Sequence, residues 1–230
     1  MKIVLGRVGI VQGDWQLAAD GTFIEGIHLI SGPVGSGKST LALVLAGLLE
    51  PAAGSIIKEE VTDMMLSFQF PEYHVTGPTI RDECHSWGTD PEEILFKTGL
   101  VGRGRIPPLH LSRGELKRLH LACVLARPHD LLILDEPFSA LDCREKGRLS
   151  CELGHRTAGI TIIFTHEQEI FPRVDHLWEI HNGALQYRGP VPDAIPRWTG
   201  APPLIRQLVR AGRTPRNLTV QDIVEAACRT

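Results

Sequence analysis

The chain has 230 residues, 43% of them hydrophobic and 22% charged, with a net charge of -3. That length accommodates one large α/β domain, or a domain with small subdomains, and the slight acidity argues against a nucleic-acid binder working by bulk electrostatics. The opening Met1-Lys2-Ile3-Val4-Leu5-Gly6-Arg7 breaks its apolar run too early for a signal peptide, and no stretch has the apolar length of a membrane span. A membrane role is therefore expected to be peripheral, through a partner. The five cysteines (Cys84, Cys123, Cys143, Cys151, Cys228) are scattered and form no C-x-x-C pair, which points to a reduced compartment with the thiols as small apolar fillers. The ten histidines show no zinc spacing, and all but one read as isolated surface or core residues.

In chain order, the segment up to about Glu25 alternates short apolar runs with turn signals such as Ala19-Asp20-Gly21, which predicts a small antiparallel piece. Residues 27–31 read as a buried strand followed at once by a glycine-rich turn, and 40–49 as a buried helix stopping at Pro51. The apolar runs at 131–134 and 160–164 are of core-strand type, with helical stretches between and around them. Such alternation predicts an α/β fold with a mostly parallel sheet covered on both faces. The Pro-rich stretch 190–203 reads as a linker to a short tail.

The strongest motif is Gly32-Pro33-Val34-Gly35-Ser36-Gly37-Lys38-Ser39-Thr40. Its glycines let the backbone curl so that N–H groups face inward around phosphate oxygens, and the helix that follows adds its dipole. Lys38 supplies a point charge for the β- and γ-phosphates, and the Ser39 hydroxyl is a ligand for Mg²⁺. Placed between strand and helix, this is a P-loop, which marks an NTPase without saying which kind. The run Leu131-Leu132-Ile133-Leu134-Asp135-Glu136-Pro137 is a buried strand ending in two carboxylates. It fits a Walker B element in which Asp135 holds the magnesium and Glu136 polarises the attacking water.

Shortly before that strand, Leu111-Ser112-Arg113-Gly114-Glu115 heads a helix running to about Ala126. It resembles the LSGGQ signature of ATP-binding cassette (ABC) proteins, although Ser followed three residues later by Glu is also a plain capping box. In that family the signature binds the γ-phosphate of ATP on the other subunit's P-loop, which makes Ser112, Arg113, Gly114 and Glu115 nucleotide-binding residues. Three further elements fall in family order. Gln69 matches the Q-loop, which contacts the metal and the nucleophilic water; Asp142, in Ser139-Ala140-Leu141-Asp142, matches the D-loop; His166 matches the switch histidine. The resemblance thus implies Glu136, His166, Lys38 and Gln69 as catalytic residues, and Ser39, Gln69 and Asp135 as the metal set.

Phe68-Gln69-Phe70-Pro71-Glu72-Tyr73-His74 followed by Thr79-Ile80-Arg81-Asp82-Glu83 is similar to the Q-loop region of energy-coupling-factor ATPases, which drive vitamin and cobalt or nickel uptake. The tail agrees. Val220, Ile223, Val224 and Ala227 recur on one helical face, and Thr219 with Asp222 can cap that helix. This face either packs on its own domain or, as in the family, pairs across a dimer. Arg113 and Glu115 depart from the consensus Gly and Gln. Trp15 lies late for the family's adenine-stacking aromatic, and a core or strand role is the stronger reading for it.

The whole is expected to be a RecA-like P-loop core over residues 1–195, with an N-terminal antiparallel β subdomain, a helical signature subdomain inserted at about 71–126, and a helical tail at 196–230. The resemblance implies an ATPase acting with a second ABC subunit and transmembrane components, without nucleic acid, at the cytoplasmic face of a bacterial or archaeal membrane, powering micronutrient uptake. Two alternatives share the site chemistry: a cassette ATPase not tied to transport, and a degenerate cassette within a heterodimer.

Overall fold

The computed structural model describes residues 1–156 and 158–228, so the last two residues of the expected tail lie outside the described residues. A nine-stranded sheet runs in the order β4-β1-β2-β9-β8-β3-β7-β6-β5. Its core strands β3 (Gly26–Ser31), β5 (Met64–Ser67), β6 (Leu131–Asp135), β7 (Ile160–Thr165) and β8 (His176–His181) run parallel, and β9 (Ala184–Pro190) returns antiparallel to β8. Every residue of β6 and β7 is buried, as expected for parallel strands covered on both faces. Their side chains divide by strict alternation. Leu131 and Ile133 join α1 (Lys38–Ala46) in one core, and Leu132 and Leu134 join Leu121, Leu149, Leu153 and Phe171 in the other.

The antiparallel part consists of β1 (Lys2–Gln12), β2 (Trp15–Ile24) and β4 (Ala53–Glu59), joined to the core strands through a single β2–β9 bridge, Ala18 to Ala184. In β1 the buried residues switch from Ile3 and Leu5 to Val8 and Ile10, because a bulge between Leu5 and Val8 shifts the phase by one. The chain reverses at Gly13-Asp14, where Gly13 takes φ +58°, and not at Ala19-Asp20-Gly21. Those three residues lie inside β2, opposite the bulge.

Between β5 and β6, α2 (Ile80–Ser86), α3 (Pro91–Thr98) and α4 (Arg113–Leu125) enclose a third core of Ile80, Cys84, Ile94, Leu95, Leu116, Leu119 and Cys123. Helix α4 is thus buried on two sides, with Leu121 and Val124 packing toward the sheet. Helix α5 (Cys143–Gly154) follows β6.

The Pro-rich stretch 190–203 is not a linker. Ala194, Ile195, Trp198 and Ala201 are all buried in the sheet-facing core, and Trp198 Nε1 donates to Ser31 Oγ at 2.7 Å. Proline restricts the backbone but does not keep neighbouring side chains in water, and here the apolar residues between prolines decide. Helices α6 (Pro203–Arg210) and α7 (Val220–Cys228) add Ile205, Leu208, Ile223 and Ala226 to the same core. Of the expected α7 face only Ile223 is buried; Val220 (52% exposed), Val224 (53%) and Ala227 face out, because Ile223 and Ala226 make the contact with the domain. The predicted Thr219 cap is present, its hydroxyl accepting from Asp222 N at 3.2 Å. Only Cys84 and Cys123 act as buried fillers, while Cys143, Cys151 and Cys228 are exposed.

Candidate nucleotide-binding and hydrolysis site

The parallel strands end in register: Ser31 pairs with Thr165, Phe164 with Asp135, and Leu134 with Ser67. The loops after β3, β5, β6 and β7 therefore leave from one edge, where open parallel sheets bind ligands. They enclose a cleft of about 390 Å³ lined by residues of the glycine loop, Lys38, Ser39, Thr40, Gln69, Glu136 and His166, with Gln12 and Trp15 added from the β1–β2 hairpin.

The glycine loop turns into α1 at Gly37, the N-cap, with φ +97° and no side chain to satisfy the first-turn N–H groups. No acidic residue stands in that turn, so these donors and the helix dipole are left for an anion. A Cβ on Gly37 would run into the Trp15 ring, so this position needs glycine on both counts. Lys38 is 7% exposed; its ammonium donates to Gly32 O at 2.9 Å and Pro33 O at 3.2 Å and lies 3.5 Å from Glu136 Oε1.

At the end of β6, Asp135 is buried and its Oδ1 has no hydrogen-bond partner. Burial pushes its pKa up, against the Ser39 hydroxyl and the Lys38 charge, which hold it down. An orphaned carboxylate oxygen beside a hydroxyl is a hard oxygen donor set, and it fits Mg²⁺. Glu136 follows with φ +48°, a left-handed conformation that costs a non-glycine residue roughly 1–3 kcal/mol and gathers at functional sites. Its Oε2 accepts from Thr165 Oγ1 and His166 N, both at 3.2 Å, and its Oε1 lies 2.7 Å from His166 Nδ1. A carboxylate fixed in this way at the cleft wall can take a proton from water, and the neighbouring imidazole can donate.

The signature residues lie elsewhere. Ser112 caps α4, its hydroxyl accepting from Glu115 N at 3.3 Å, while the Glu115 carboxylate accepts from Ser112 N at 2.8 Å. The Ser112 N–H, then its hydroxyl, which also donates to Glu115 Oε2 at 2.8 Å, and the Arg103 ion pair hold the Glu115 pKa down to about 2. Arg113 is exposed. A Cβ on Gly114 would stand 2.9 Å from Ala140 O, so the first turn of α4 sits tightly on the loop before α5. Asp142 caps α5 by accepting from Glu145 N at 2.8 Å. None of Ser112, Arg113, Gly114, Glu115 or Asp142 lines the cleft that holds the glycine loop.

Residues 25–139 match the family model described as ABC transporter, and the chain is 34% identical over 213 residues to the energy-coupling factor transporter ATP-binding protein EcfA1 of Thermotoga maritima, covering 82% of each chain. The chain belongs to the ABC transporter family. It is also 32% identical to the thiamine import ATP-binding protein ThiQ of Cereibacter sphaeroides, over 75% of this chain and 84% of that one. The ATP-binding cassette MJ0796, solved as a dimer in a post-hydrolysis state with ADP and Pi, has the same fold, with a TM-score of 0.66 over 81% of this chain and 98% of that one at 16% identity. As a member of the family, the chain is an ATPase.

Of two residues of this ABC ATPase, the sequence reading left one between two places and passed over the other. Trp15 does pack on the core around β1 and β2, but only partly; the rest of its ring borders the cleft against Gly37. The signal was the Gly13-Asp14 reversal just before it, which carries the start of β2 to the glycine loop. Lys117 was passed over altogether. It is 1% exposed, and its inward position between Leu116 and Leu119 marks it, since lysine is almost never buried without partners.

Proposed function

We infer that this ABC ATPase powers uptake of a micronutrient, a vitamin or transition-metal ion, by closing head to tail against a second ATPase subunit with two ATP molecules buried between them. The observation that carries this reading is the separation within one chain: the glycine loop, Gln69, Glu136 and His166 share a cleft, and the Ser112 helix end lies outside it. A second subunit would bring its own Ser112 and Arg113 to that cleft.

In this reading Lys38 exchanges the carbonyls of Gly32 and Pro33 for β- and γ-phosphate oxygens, while the first-turn N–H groups of α1 hold the phosphate chain. Trp15 offers its ring to the adenine. Ser39, Asp135 and Gln69 would hold Mg²⁺, which would neutralise charge on the phosphate oxygens. Glu136 takes the proton of the attacking water, and His166, held through Nδ1, steadies the γ-phosphate. Glu136 and His166 in hydrogen-bonded contact favour an active cassette over a degenerate one.

No helix among the described residues is long and apolar enough to cross a membrane. Exposed Phe70 and Tyr73, whose rings meet edge-on at 6.1 Å beside the Q-loop, would offer an apolar patch to a transmembrane component. The likeness to EcfA1 and ThiQ, named for energy-coupling-factor transport and thiamine import, supports micronutrient uptake. The test is Ser112→Arg: a bulky side chain at the start of α4 blocks a shared site but leaves the glycine loop intact. ATP affinity of the single subunit is expected to stay at the wild-type value while steady-state turnover is lost. Normal turnover would mean that ATP is not shared across this signature.

A further inference from the structure

Helix α4 does more than present the signature. One turn after Arg113, Lys117 points inward and donates through Nζ to the main-chain carbonyls of Phe68 at 3.2 Å and Gln69 at 3.0 Å. Three residues later, His120 Nε2 lies 2.9 Å from Ser67 Oγ, and its ring stacks on His74 at 4.3 Å. His74 Nε2 in turn accepts from Phe68 N at 3.0 Å. Three consecutive residues, Ser67, Phe68 and Gln69, are thus held at four polar atoms, two of them by one buried ammonium.

The electrostatics are consistent with a fastening role. Burial pulls the Lys117 pKa down to about 8, opposed by the carboxylates of Asp135, Glu136 and Glu72. Burial also brings the His74 pKa to about 4, so its ring is neutral near pH 7 and free to accept from Phe68 N. Taking an ammonium out of water is unfavourable unless its donors are used, and the two donors accounted for both go to the segment that carries Gln69 into the cleft.

We propose that Lys117 is a positioning residue for ATP hydrolysis: it ties the main chain of Phe68 and Gln69 to the signature helix, so that the Gln69 side chain is held at the cleft. The proposal rests on the reading of Gln69 as the residue that contacts the metal and the nucleophilic water. Lys117 does not line the cleft and acts through the main chain of Phe68 and Gln69.

A double-mutant cycle on the full chain tests it, with steady-state ATPase kinetics and thermal melts for wild type, Lys117→Met, Gln69→Ala and the pair. Lys117→Met is expected to lower kcat roughly 10- to 100-fold, as misplacement of a reacting group by about 1 Å does, with the KM for ATP nearly unchanged. In the Gln69→Ala background the same substitution is expected to change kcat by less than about twofold, because the group it positions is gone. Should Lys117→Met fail to melt cooperatively, Lys117→Gln, shorter but still a donor, runs the same cycle under the same criterion. A slow Gln69→Ala protein on which the lysine substitution adds its full loss would overturn the proposal alone. A Gln69→Ala protein with wild-type kcat would overturn the reading of Gln69 and the proposal with it.

Discussion

Glu136 and Trp15 show two ways in which one side chain is committed to the cleft. Glu136 is held by three hydrogen bonds from Thr165 and His166, on a backbone conformation that few non-glycine residues adopt. Trp15 is placed by a turn: the Gly13-Asp14 reversal brings its ring over Gly37, half in the core and half against the nucleotide cleft. Stacking of a base on an aromatic ring is worth about 1–3 kcal/mol. Trp15→Ala is therefore expected to weaken ATP binding by about that much in titration calorimetry, while inorganic triphosphate, which has no base, binds the variant as it binds the wild type. Equal ATP affinity in the two proteins would remove Trp15 from the site.

At the scale of elements, the legible parts were those whose physics is contiguous in sequence. A glycine loop between strand and helix, and a buried strand ending in two carboxylates, each declare their chemistry within ten residues. Strands β6 and β7 were legible because an unbroken apolar run of that length has few other uses. What was missed depends on distant partners. The fastening role of Lys117 needs two carbonyls of a loop nearly fifty residues earlier. The orientation of α7 depends on which of its apolar residues reach the sheet-facing core, and helical spacing alone allowed more than one stripe. The 190–203 stretch was read from its prolines, whereas Trp198 and its bond to Ser31 make it part of the fold. Trp198→Ala is expected to cost about 3–5 kcal/mol in denaturant unfolding, the range for emptying a buried aromatic site. A loss below about 1 kcal/mol, the ordinary cost of a surface change, would return this stretch to the status of a linker.

At the scale of the whole molecule, the expected site residues stand on two separate surfaces. The cleft at the C-terminal edge of the parallel strands carries the glycine loop and Glu136, and the N-terminus of α4 stands apart from it with Ser112 and Arg113 exposed. On α7, Val220 and Val224 are exposed, while Ile223 and Ala226 pack on this chain's own core. In the proposed reading, turnover requires two subunits to meet around ATP, and hydrolysis releases them. The Glu136→Gln protein tests this most directly, because it keeps the shape of the site and removes the proton acceptor. With ATP and Mg²⁺ it is expected to bind nucleotide as the wild type does, to hydrolyse it at least about a hundredfold more slowly, as loss of a general base does, and to elute from size exclusion as a dimer. A Glu136→Gln protein that turns over ATP at the wild-type rate and elutes as a monomer would contradict both the assignment of the base and the closed dimer.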